Sequence, residues 1–500
     1  MTDLRTEVVV VGAGPVGLAL AGELRLAGVD VTVLERRTAP SGESRASTLH
    51  ARTMEILDSR GLLAQVGTPP HEPMGHLAGI PLDLTLPSGY PGQWKVPQTR
   101  MEEILHSWAR SLGARIRRGH RLHSVVAEAE DVEAVAVGPA GPVRVSARYL
   151  VGCDGEDSTT RRLLGVRFPG HDGRRRLLRA DVAGIEIPNR RFQRLARGLA
   201  IAARRGDGVT RVMVHELGPV AGGPGPDAGP ASGEPGFAAV ADAWERVTGE
   251  DIRGGEPLWV NAFDDASRQL SAYRHGRVLF AGDAAHRQMP IGGQALNLGL
   301  QDAFNLGWKL GNRLHGGNTD ELLETYHTER HAAGRRTLAN IAAQAELLLG
   351  GPEVEPLRTV VAELVRIEAT RRHLAGTISG LDVRYDVGPG DHPLLGARLP
   401  NLCLCTPARV STTALLRTGR GLLLDLAGNA GRRAELSRLA EGWSGRVDPI
   451  VAGLDAGSAG AVEPGRLLVR PDGYVAWAGD GDADPRPALR RWFGAPAVPT

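Results

Sequence analysis

The sequence predicts a protein of mixed α/β and α+β class with more than one domain. Its 500 residues suit two or three domains better than one. Four valines at residues 8–11 predict a strand that is buried on both faces of a parallel sheet. A glycine-rich turn, a helix over residues 18–26 and a second buried strand over 29–34 complete one βαβ unit. Strand and helix patterns then continue to the end of the chain.

The elements after this unit follow from periodicity. Apolar spacing predicts a helix over residues 97–120, strands over 122–137 and a buried strand over 149–153. Residues 174–273 change to mixed strands with one helix at 237–247. Within residues 218–236, 12 of 19 residues are Gly or Pro, which predicts a mobile surface loop because such a composition buries little apolar surface.

The second half of the chain reads as a helical region followed by a small α/β domain. A buried strand is expected over residues 277–283 and a helix over 298–314, with helical periodicity to about residue 378. Residues 386–400, rich in Gly and Pro, predict a linker. Strands at 421–426, 466–470 and 474–477 then alternate with short helices.

Charge and cysteine usage exclude several classes of partner. The formal net charge is +2, without a basic block or an apolar run of 18 residues, so neither a nucleic acid nor a membrane is expected. Lys95 and Lys309 are the only lysines among 59 basic residues, which indicates a GC-rich coding bias. Three cysteines, Cys153, Cys403 and Cys405, argue against a disulfide framework and favour a cytoplasmic protein. The Cys-x-Cys pair is interpreted as one face of a strand.

The first motif is the glycine-rich turn at residues 12–17. Gly12 permits a tight turn, Gly14 lets the backbone approach a pyrophosphate, and Gly17 lets helix and strand pack closely. Glu35, at the end of the second strand, is placed to accept hydrogen bonds from ribose hydroxyls. Together they predict a Rossmann-like dinucleotide site. Arg36 is expected either to stack on the adenine or to remain a solvated surface residue.

Two later motifs place carboxylates at the ends of buried strands. Asp154 follows the strand at 149–153, and Asp283 caps the strand at 277–283; ligands of α/β folds bind at such strand ends. Residues 290–297 then form a loop whose amides, with the start of the next helix, are expected to face a ring edge or a phosphate. His286 is either an acid/base residue or a structural hydrogen-bonding group.

These three motifs, in this order and at these distances, resemble those of the FAD-dependent aromatic hydroxylases, the single-component flavoprotein monooxygenases. The resemblance includes residues 44–55, 96–98 and 326–330 and covers nearly the whole chain. Residues 392–396 and 468–474 are similar to the thioredoxin-like C-terminal domain of members that act on phenols and aromatic polyketides. The angucycline and anthracycline hydroxylase branch is the closest in pattern. This C-terminal domain lacks a Cys-x-x-Cys, so a redox role is not expected for it.

The resemblance implies a domain plan and a reaction. Residues 1–173 and 274–385 would bind FAD, residues 174–273 and part of 70–95 would enclose the substrate, and residues 395–500 would be thioredoxin-like. NADPH would reduce FAD, and dioxygen would add at the flavin C(4a) to give a hydroperoxide that hydroxylates a polycyclic aromatic polyketide in antibiotic biosynthesis. The protein would act as a monomer or homodimer, and no metal-ligand spacing occurs in the sequence.

The resemblance also implies roles for individual residues. Arg45, beside the flavin, is the catalytic candidate. The residues expected to bind the cofactor are Gly12, Gly14, Pro15, Val16, Gly17, Glu35, Arg36, Arg45, Gln98, Asp154, Asp283, Pro290, Gly292, Gly293, Ala295, Leu296 and Asn297. Ala295 stands where many relatives carry glycine, and its methyl group is expected to disfavour positive backbone angles and to crowd the flavin. Trp94, Met213 and Phe263 are pocket candidates that also suit an ordinary core.

Other functions remain compatible with the same motifs. A Baeyer–Villiger oxygenase would use the same cofactor site on a ketone and form a lactone. A flavin reductase or dehydrogenase would insert no oxygen, and a scaffold protein retaining FAD would show no substrate-stimulated NADPH oxidation.

Overall fold

The N-terminal part of the chain is built on a six-stranded, mostly parallel sheet. The computed structural model describes residues 2–40, 42, 46–218, 235–317, 320–406, 409–455, 457–458, 462–463, 465–480 and 483–497. From edge to edge the strands are Arg274–His275, Val278–Phe280, Tyr149–Gly152, Val8–Val11, Val31–Glu35 and Arg115–Arg118. Every neighbouring pair is parallel except the first. Val8, Val9 and Val10 are fully buried, as the valine run predicts for a central strand.

Helices and a second sheet surround this sheet. The helices Pro15–Leu26, Gln98–Ser111 and Gln294–His315 pack against one another. A four-stranded sheet shares the same hydrophobic core, with strand order Thr2–Arg5, Gly141–Ala147, Val132–Gly138 and Arg121–Ala127. The predicted helix over residues 97–120 is wrong beyond Ser111. Gly113, at φ +95°, ends it by turning the chain, and residues 115–118 pair with the strand of Glu35 instead.

A five-stranded antiparallel sheet occupies the middle of the chain. Its strand order is Arg190–Leu195, Gly198–Arg204, Thr210–Glu216, Arg176–Ala183 and Glu256–Asp264. Alternate residues face opposite sides. One face buries Ala200 and Val212 against the helix Phe237–Thr248. The other face buries Leu199 and Ile201 in a cluster with Met289 and Ile291. Most of the glycine-rich segment 218–236 lies outside the described residues.

Further helices and short strands complete the N-terminal and middle parts of the chain. They are Thr48–His50, Ala51–Asp58, Leu63–Val66, His71–Glu72, Met74–Leu77, Ile80–Asp83, Gln93–Lys95, Thr159–Leu163, Gly170–His171, Ser267–Gln269, His286–Arg287, Asp320–Leu349, Glu355–Leu364 and Glu368–Ser379. The long helix Asp320–Leu349 runs beside Gln294–His315 and reaches the middle sheet. The helical periodicity predicted up to residue 378 is therefore present as three helices.

The C-terminal part has the thioredoxin-like arrangement expected from the sequence. Its mixed sheet has the order Val447–Val451, Gly421–Asp425, Arg466–Val469 and Val475–Gly479, with only the first pair parallel. The helices Arg433–Ala440 and Arg486–Phe493 pack on it. A smaller sheet contains Arg409–Ser411, Cys403–Cys405 and Gly453–Leu454. Leu404 is fully buried between a half-buried Cys403 and an exposed Cys405, so the Cys-x-Cys segment is a strand.

Candidate active site

The three sequence motifs meet at one edge of the six-stranded sheet. The glycine turn follows Val8–Val11, Glu35 ends the next strand, Asp154 follows Tyr149–Gly152, and Asp283 follows Val278–Phe280. These strands are adjacent and parallel, so their carboxyl ends share one edge. Ligands of open α/β sheets bind at such an edge, which makes it the candidate site.

The glycine turn is shaped by close backbone contacts and leaves space on one side. Gly12 has φ +105°, and a Cβ atom there would lie 2.4 Å from the carbonyl oxygen of Cys153. A Cβ on Gly17 would lie 2.0 Å from the Gly12 carbonyl oxygen. A Cβ on Gly14 would meet nothing within 4 Å. The first and third glycines therefore serve packing, and the open side at Gly14 gives a ligand access to the backbone.

Glu35 holds the glycine turn from the neighbouring strand. The Ala13 N–H donates to Glu35 Oε2 at 2.8 Å, and the Arg37 N–H donates to Oε1 at 2.8 Å. A carboxylate has about four acceptor positions, so each oxygen keeps one for a further donor. Arg36 is exposed.

Asp154 and Asp283 differ in their surroundings. The Asp154 carboxylate accepts hydrogen bonds from the Ser158 hydroxyl at 2.6 Å and from the Thr160 amide at 2.9 Å. It therefore organises the start of the short helix Thr159–Leu163. The Asp283 side chain is exposed at the sheet edge. Of the two carboxylates, Asp283 is the more accessible to a ligand.

The loop at residues 290–297, called the flavin loop below, turns on two glycines. Gly292 and Gly293 have φ +64° and +70°, a region that glycine adopts without strain. Ala295 and Leu296 are half-buried on the first turn of the helix Gln294–His315. Ala295 is therefore helical, and the expectation of a positive-φ conflict at this residue is wrong; the expected crowding of the flavin stays a prediction.

Polar side chains clamp this loop to the strand Thr48–His50. The Asn297 amide nitrogen donates to the Gly293 carbonyl at 2.7 Å and to the Thr48 carbonyl at 3.0 Å, while its oxygen accepts the His50 N–H at 2.9 Å. His50 Nε2 donates to the Gly292 carbonyl at 2.7 Å. Burial, joined by the charge of Lys95, lowers the pKa of His50 to about 4, so the ring is neutral near pH 7.

His50 is a residue that sequence reasoning missed as a loop clamp. Its partner Gly292 is 242 residues away, and no local pattern signals such a pairing. The only available signal was its place in the segment 44–55 that resembles the family.

A second buried network supports the turn at Gly282. Asp302 accepts the Gly282 N–H at 3.1 Å, His286 Nε2 at 2.7 Å and Arg330 Nε at 2.7 Å. Burial by itself raises the pKa of Asp302, but the charges of Arg330 and His286 outweigh it and hold the pKa below its usual value. His286 is fully buried and its Nε2 is engaged, which supports its structural interpretation over an acid/base role.

The segment before His50 approaches Gln98. The Gln98 N–H donates to the Ala46 carbonyl at 2.8 Å, and the Gln98 side-chain amide donates to Glu102 at 2.9 Å. Gln98 is half-buried, at the start of its helix. Arg45 lies outside the described residues, so its predicted role stays a proposal.

An apolar wall faces the flavin loop from the middle sheet. Met213 and Phe263 are half-buried and pack against the cluster that contains Met289 and Ile291. Phe192, at φ +49°, joins the same cluster and packs on the His76 ring in a tilted arrangement, with 4.0 Å between centroids.

Trp94 lies elsewhere, against the N-terminal core and the His71 ring. The structure thus brings Met213 and Phe263 together and leaves Trp94 apart from them.

The donor groups of this edge fit FAD. The helices Pro15–Leu26 and Gln294–His315 both begin without a side-chain cap and without an acidic residue in the first turn. Uncapped helix starts present free N–H groups and a positive dipole end. One such start beside the open side of Gly14 suits a pyrophosphate, and the other suits a carbonyl oxygen of an isoalloxazine ring.

The described residues hold no cluster of three potential metal ligands. None of the helices described is both long and apolar enough to cross a bilayer.

Comparisons with known proteins show the family of this chain. Residues 5–341 match a family model described as FAD binding domain, and residues 392–496 match one described as aromatic-ring hydroxylase, C-terminal. A 12-dehydrotetracycline 5-monooxygenase/anhydrotetracycline 6-monooxygenase of Streptomyces rimosus is 42% identical, and the alignment covers 99% of this chain and 100% of that protein.

Two solved structures extend the similarity to three dimensions. CabE, an aromatic hydroxylase from angucycline biosynthesis, has 47% identity, a TM-score of 0.92 and coverage of 99% of this chain and 100% of its own. BexE, studied for oxidation during BE-7585A biosynthesis, has 48% identity and a TM-score of 0.91 at the same coverage. The chain therefore belongs to the family of FAD-binding monooxygenases that end in an aromatic-ring hydroxylase C-terminal domain.

Proposed function

We propose that this enzyme uses NADPH and dioxygen to hydroxylate a polycyclic aromatic polyketide in antibiotic biosynthesis. The observation that carries the proposal is the meeting of two uncapped helix starts, Glu35 and Asp283 at one sheet edge, opposite an apolar wall. The relatives support the substrate class, since one is named as a monooxygenase of 12-dehydrotetracycline and anhydrotetracycline and another as an aromatic hydroxylase from angucycline biosynthesis.

In this proposal the chain binds and orients FAD along the sheet edge. The N–H groups of Gly14 and Val16 would hold the pyrophosphate, at the helix start that Pro15, which has no N–H, begins. Glu35 would hold the adenosine ribose and Asp283 the ribityl chain. Amides of the flavin loop would approach the pyrimidine side of the ring, where a positive helix end stabilises negative charge. Bound FAD would supply the redox chemistry, with NADPH as reductant and flavin C(4a) as the position that reacts with dioxygen.

The substrate would lie beside the flavin loop, against the wall that contains the half-buried Met213 and Phe263. A polarisable and an aromatic side chain suit a flat, fused-ring molecule, and the Arg179 guanidinium lies 5.3 Å from the centre of the Phe263 ring. Exclusion of water by this wall would keep the reduced flavin from consuming dioxygen without forming product. Residues 174–273 act in the proposal as the substrate domain and residues 395–500 as a domain without a catalytic group.

A substrate screen tests the proposal. FAD-loaded enzyme is mixed with NADPH and a panel of polycyclic aromatic polyketides, and NADPH oxidation, dioxygen uptake and product mass are recorded under ¹⁸O₂. The expected result is stimulated NADPH oxidation and a product with one ¹⁸O atom that resists mild alkali. A product that opens with alkali by adding water indicates a Baeyer–Villiger lactone. Stimulated NADPH oxidation without ¹⁸O in any product supports a reductase, and no stimulation by any compound overturns the proposal.

A further inference from the structure

One turn of the C-terminal domain is buried against the FAD-binding part of the chain. It comprises residues 470–474 and is called the docking turn here. The Gly473 N–H donates to the Arg470 carbonyl and the Arg470 N–H to the Tyr474 carbonyl, both at 2.8 Å. Arg470 and Asp472 are buried, although both are charged. Buried charges are retained only when they are paired. Arg470 pairs with Asp472 inside the turn and with Glu329 of the other part of the chain.

The first partner of the docking turn is Arg52, which connects it to the flavin loop. Arg52, on the helix Ala51–Asp58, donates from Nη2 to the Asp472 carbonyl at 2.6 Å and lies 4.9 Å from the centre of the Tyr474 ring. Arg52 is only two residues from His50, which donates to the Gly292 carbonyl and to Asn297. A shift of the docking turn would therefore move the strand end that clamps the flavin loop.

The second partner is Asn305, which connects the docking turn to the same loop through the helix Gln294–His315. The Asn305 amide donates to Asp472 Oδ2 at 3.2 Å and to Glu329 Oε2 at 2.7 Å. Arg470 also pairs with Glu329 at 2.6 Å. Asn305 stands eight residues after Asn297 on the helix Gln294–His315, so a rigid helix of about 12 Å joins the two asparagines.

We propose that the docking turn positions the flavin loop, with Arg52 as the positioning residue. Two routes, through His50 and through Asn305, connect the turn to residues 290–297, and every side chain named in them is buried. The C-terminal domain thus contributes to flavin geometry without touching the flavin. The inference rests on the proposed function only in placing the flavin against this loop.

Hydrogen exchange in the FAD-free protein tests the positioning itself. Arg52→Met removes the bond to the docking turn, while Glu55 keeps Arg398 as a partner at 3.0 Å. The matched control is Arg446→Met, which removes a 2.6 Å bond from the C-terminal domain to the Gly316 carbonyl at the far end of the same helix. Amides of residues 291–297 should exchange about tenfold faster in Arg52→Met than in wild type, and at the wild-type rate in Arg446→Met.

Measurements on the FAD-loaded variants complete the test. Arg52→Met should shift the flavin midpoint potential and lower product per NADPH at unchanged FAD content, and Arg446→Met should do neither. If Arg52→Met does not fold, Arg52→Lys, which keeps the charge with a shorter reach, should show an intermediate exchange rate. Equal exchange of residues 290–297 in wild type and the Arg52 variants, or equal acceleration by Arg446→Met, overturns the inference. A wild-type flavin loop that FAD does not protect from exchange contradicts instead the proposed cofactor position.

Discussion

Replacement of Glu35 is the most direct perturbation of the proposed cofactor site. Its carboxylate already accepts the Ala13 and Arg37 amides, and each oxygen keeps an acceptor position for a ribose hydroxyl. Hydrogen bonds to a charged group contribute about 1.5–3 kcal/mol. Because the side chain is half-buried and water replaces the lost contacts in part, we apply that range to the pair of ribose bonds together.

This range corresponds to a rise in the dissociation constant for FAD of about 10- to 150-fold in Glu35→Ala. Glu35→Gln keeps one carbonyl oxygen for Ala13, so its dissociation constant should lie between those of wild type and Glu35→Ala. The assay is titration of the FAD-free protein with FAD, followed by flavin fluorescence, with thermal unfolding measured in parallel.

Glu133→Ala is the matched control for this experiment. Glu133 lies on the four-stranded sheet, 45% exposed and 3.5 Å from Arg144, away from the candidate site. Its removal should leave FAD binding unchanged. A folded Glu35→Ala protein that binds FAD as tightly as wild type would refute the assignment of Glu35 to the ribose.

Four further predictions address stability, coupling and the C-terminal thiols. Burial by itself raises the pKa of Glu329, but the charges of Arg470 and Lys309 outweigh it and lower the pKa to about 2. Relative to an unfolded pKa of 4.5, this stabilises the fold by about 3 kcal/mol above pH 4.5. Urea unfolding should show that stability lost as the pH falls from 4.5 towards 2, with a flatter profile in Glu329→Gln. Arg45→Ala should lower product per NADPH more than it lowers the melting temperature; unchanged coupling would remove its proposed catalytic role. The double change Cys403→Ser with Cys405→Ser should leave NADPH oxidation and product yield near wild type, and lost turnover with FAD bound would implicate this domain in electron transfer. Ala295→Gly should cost about 0.5–1 kcal/mol of helix stability and alter the flavin absorption spectrum, whereas an identical spectrum would place the methyl group away from the flavin.

The docking turn changes the interpretation of the C-terminal domain. From the sequence, this domain is expected to be structural because it carries no Cys-x-x-Cys and no flavin motif. The structure adds a buried ion pair between Arg470 and Glu329 and a hydrogen bond from the Asn305 amide to Asp472, which join this turn to the helices that follow the flavin loop. Breaking a buried pair by removing one partner typically costs about 3–5 kcal/mol, so the interface is expected to be rigid.

Local sequence patterns determined much of the N-terminal fold and the location of the site. The valine run at residues 8–11, the glycine spacing at 12–17 and the acidic ends of the strands each depend on a few neighbouring residues. A resemblance carried by the same residues indicated the cofactor and the family. The helix predicted over residues 97–120 shows the limit of such patterns. An arginine-rich segment around Ile116 is a strand only because the exposed edge beside Glu35 offers it a partner.

Tertiary structure alone decided which distant groups meet. His50 and Gly292 are 242 residues apart, Glu329 and Arg470 are 141 apart, and Arg52 and the Asp472 carbonyl are 420 apart. A neutral histidine and a buried ion pair have no periodicity, because their stability depends on desolvation and on partners that folding supplies. The sequence by itself therefore predicted where a dinucleotide can bind. Only the tertiary structure showed which groups of the C-terminal domain contact the helices on either side of the flavin loop.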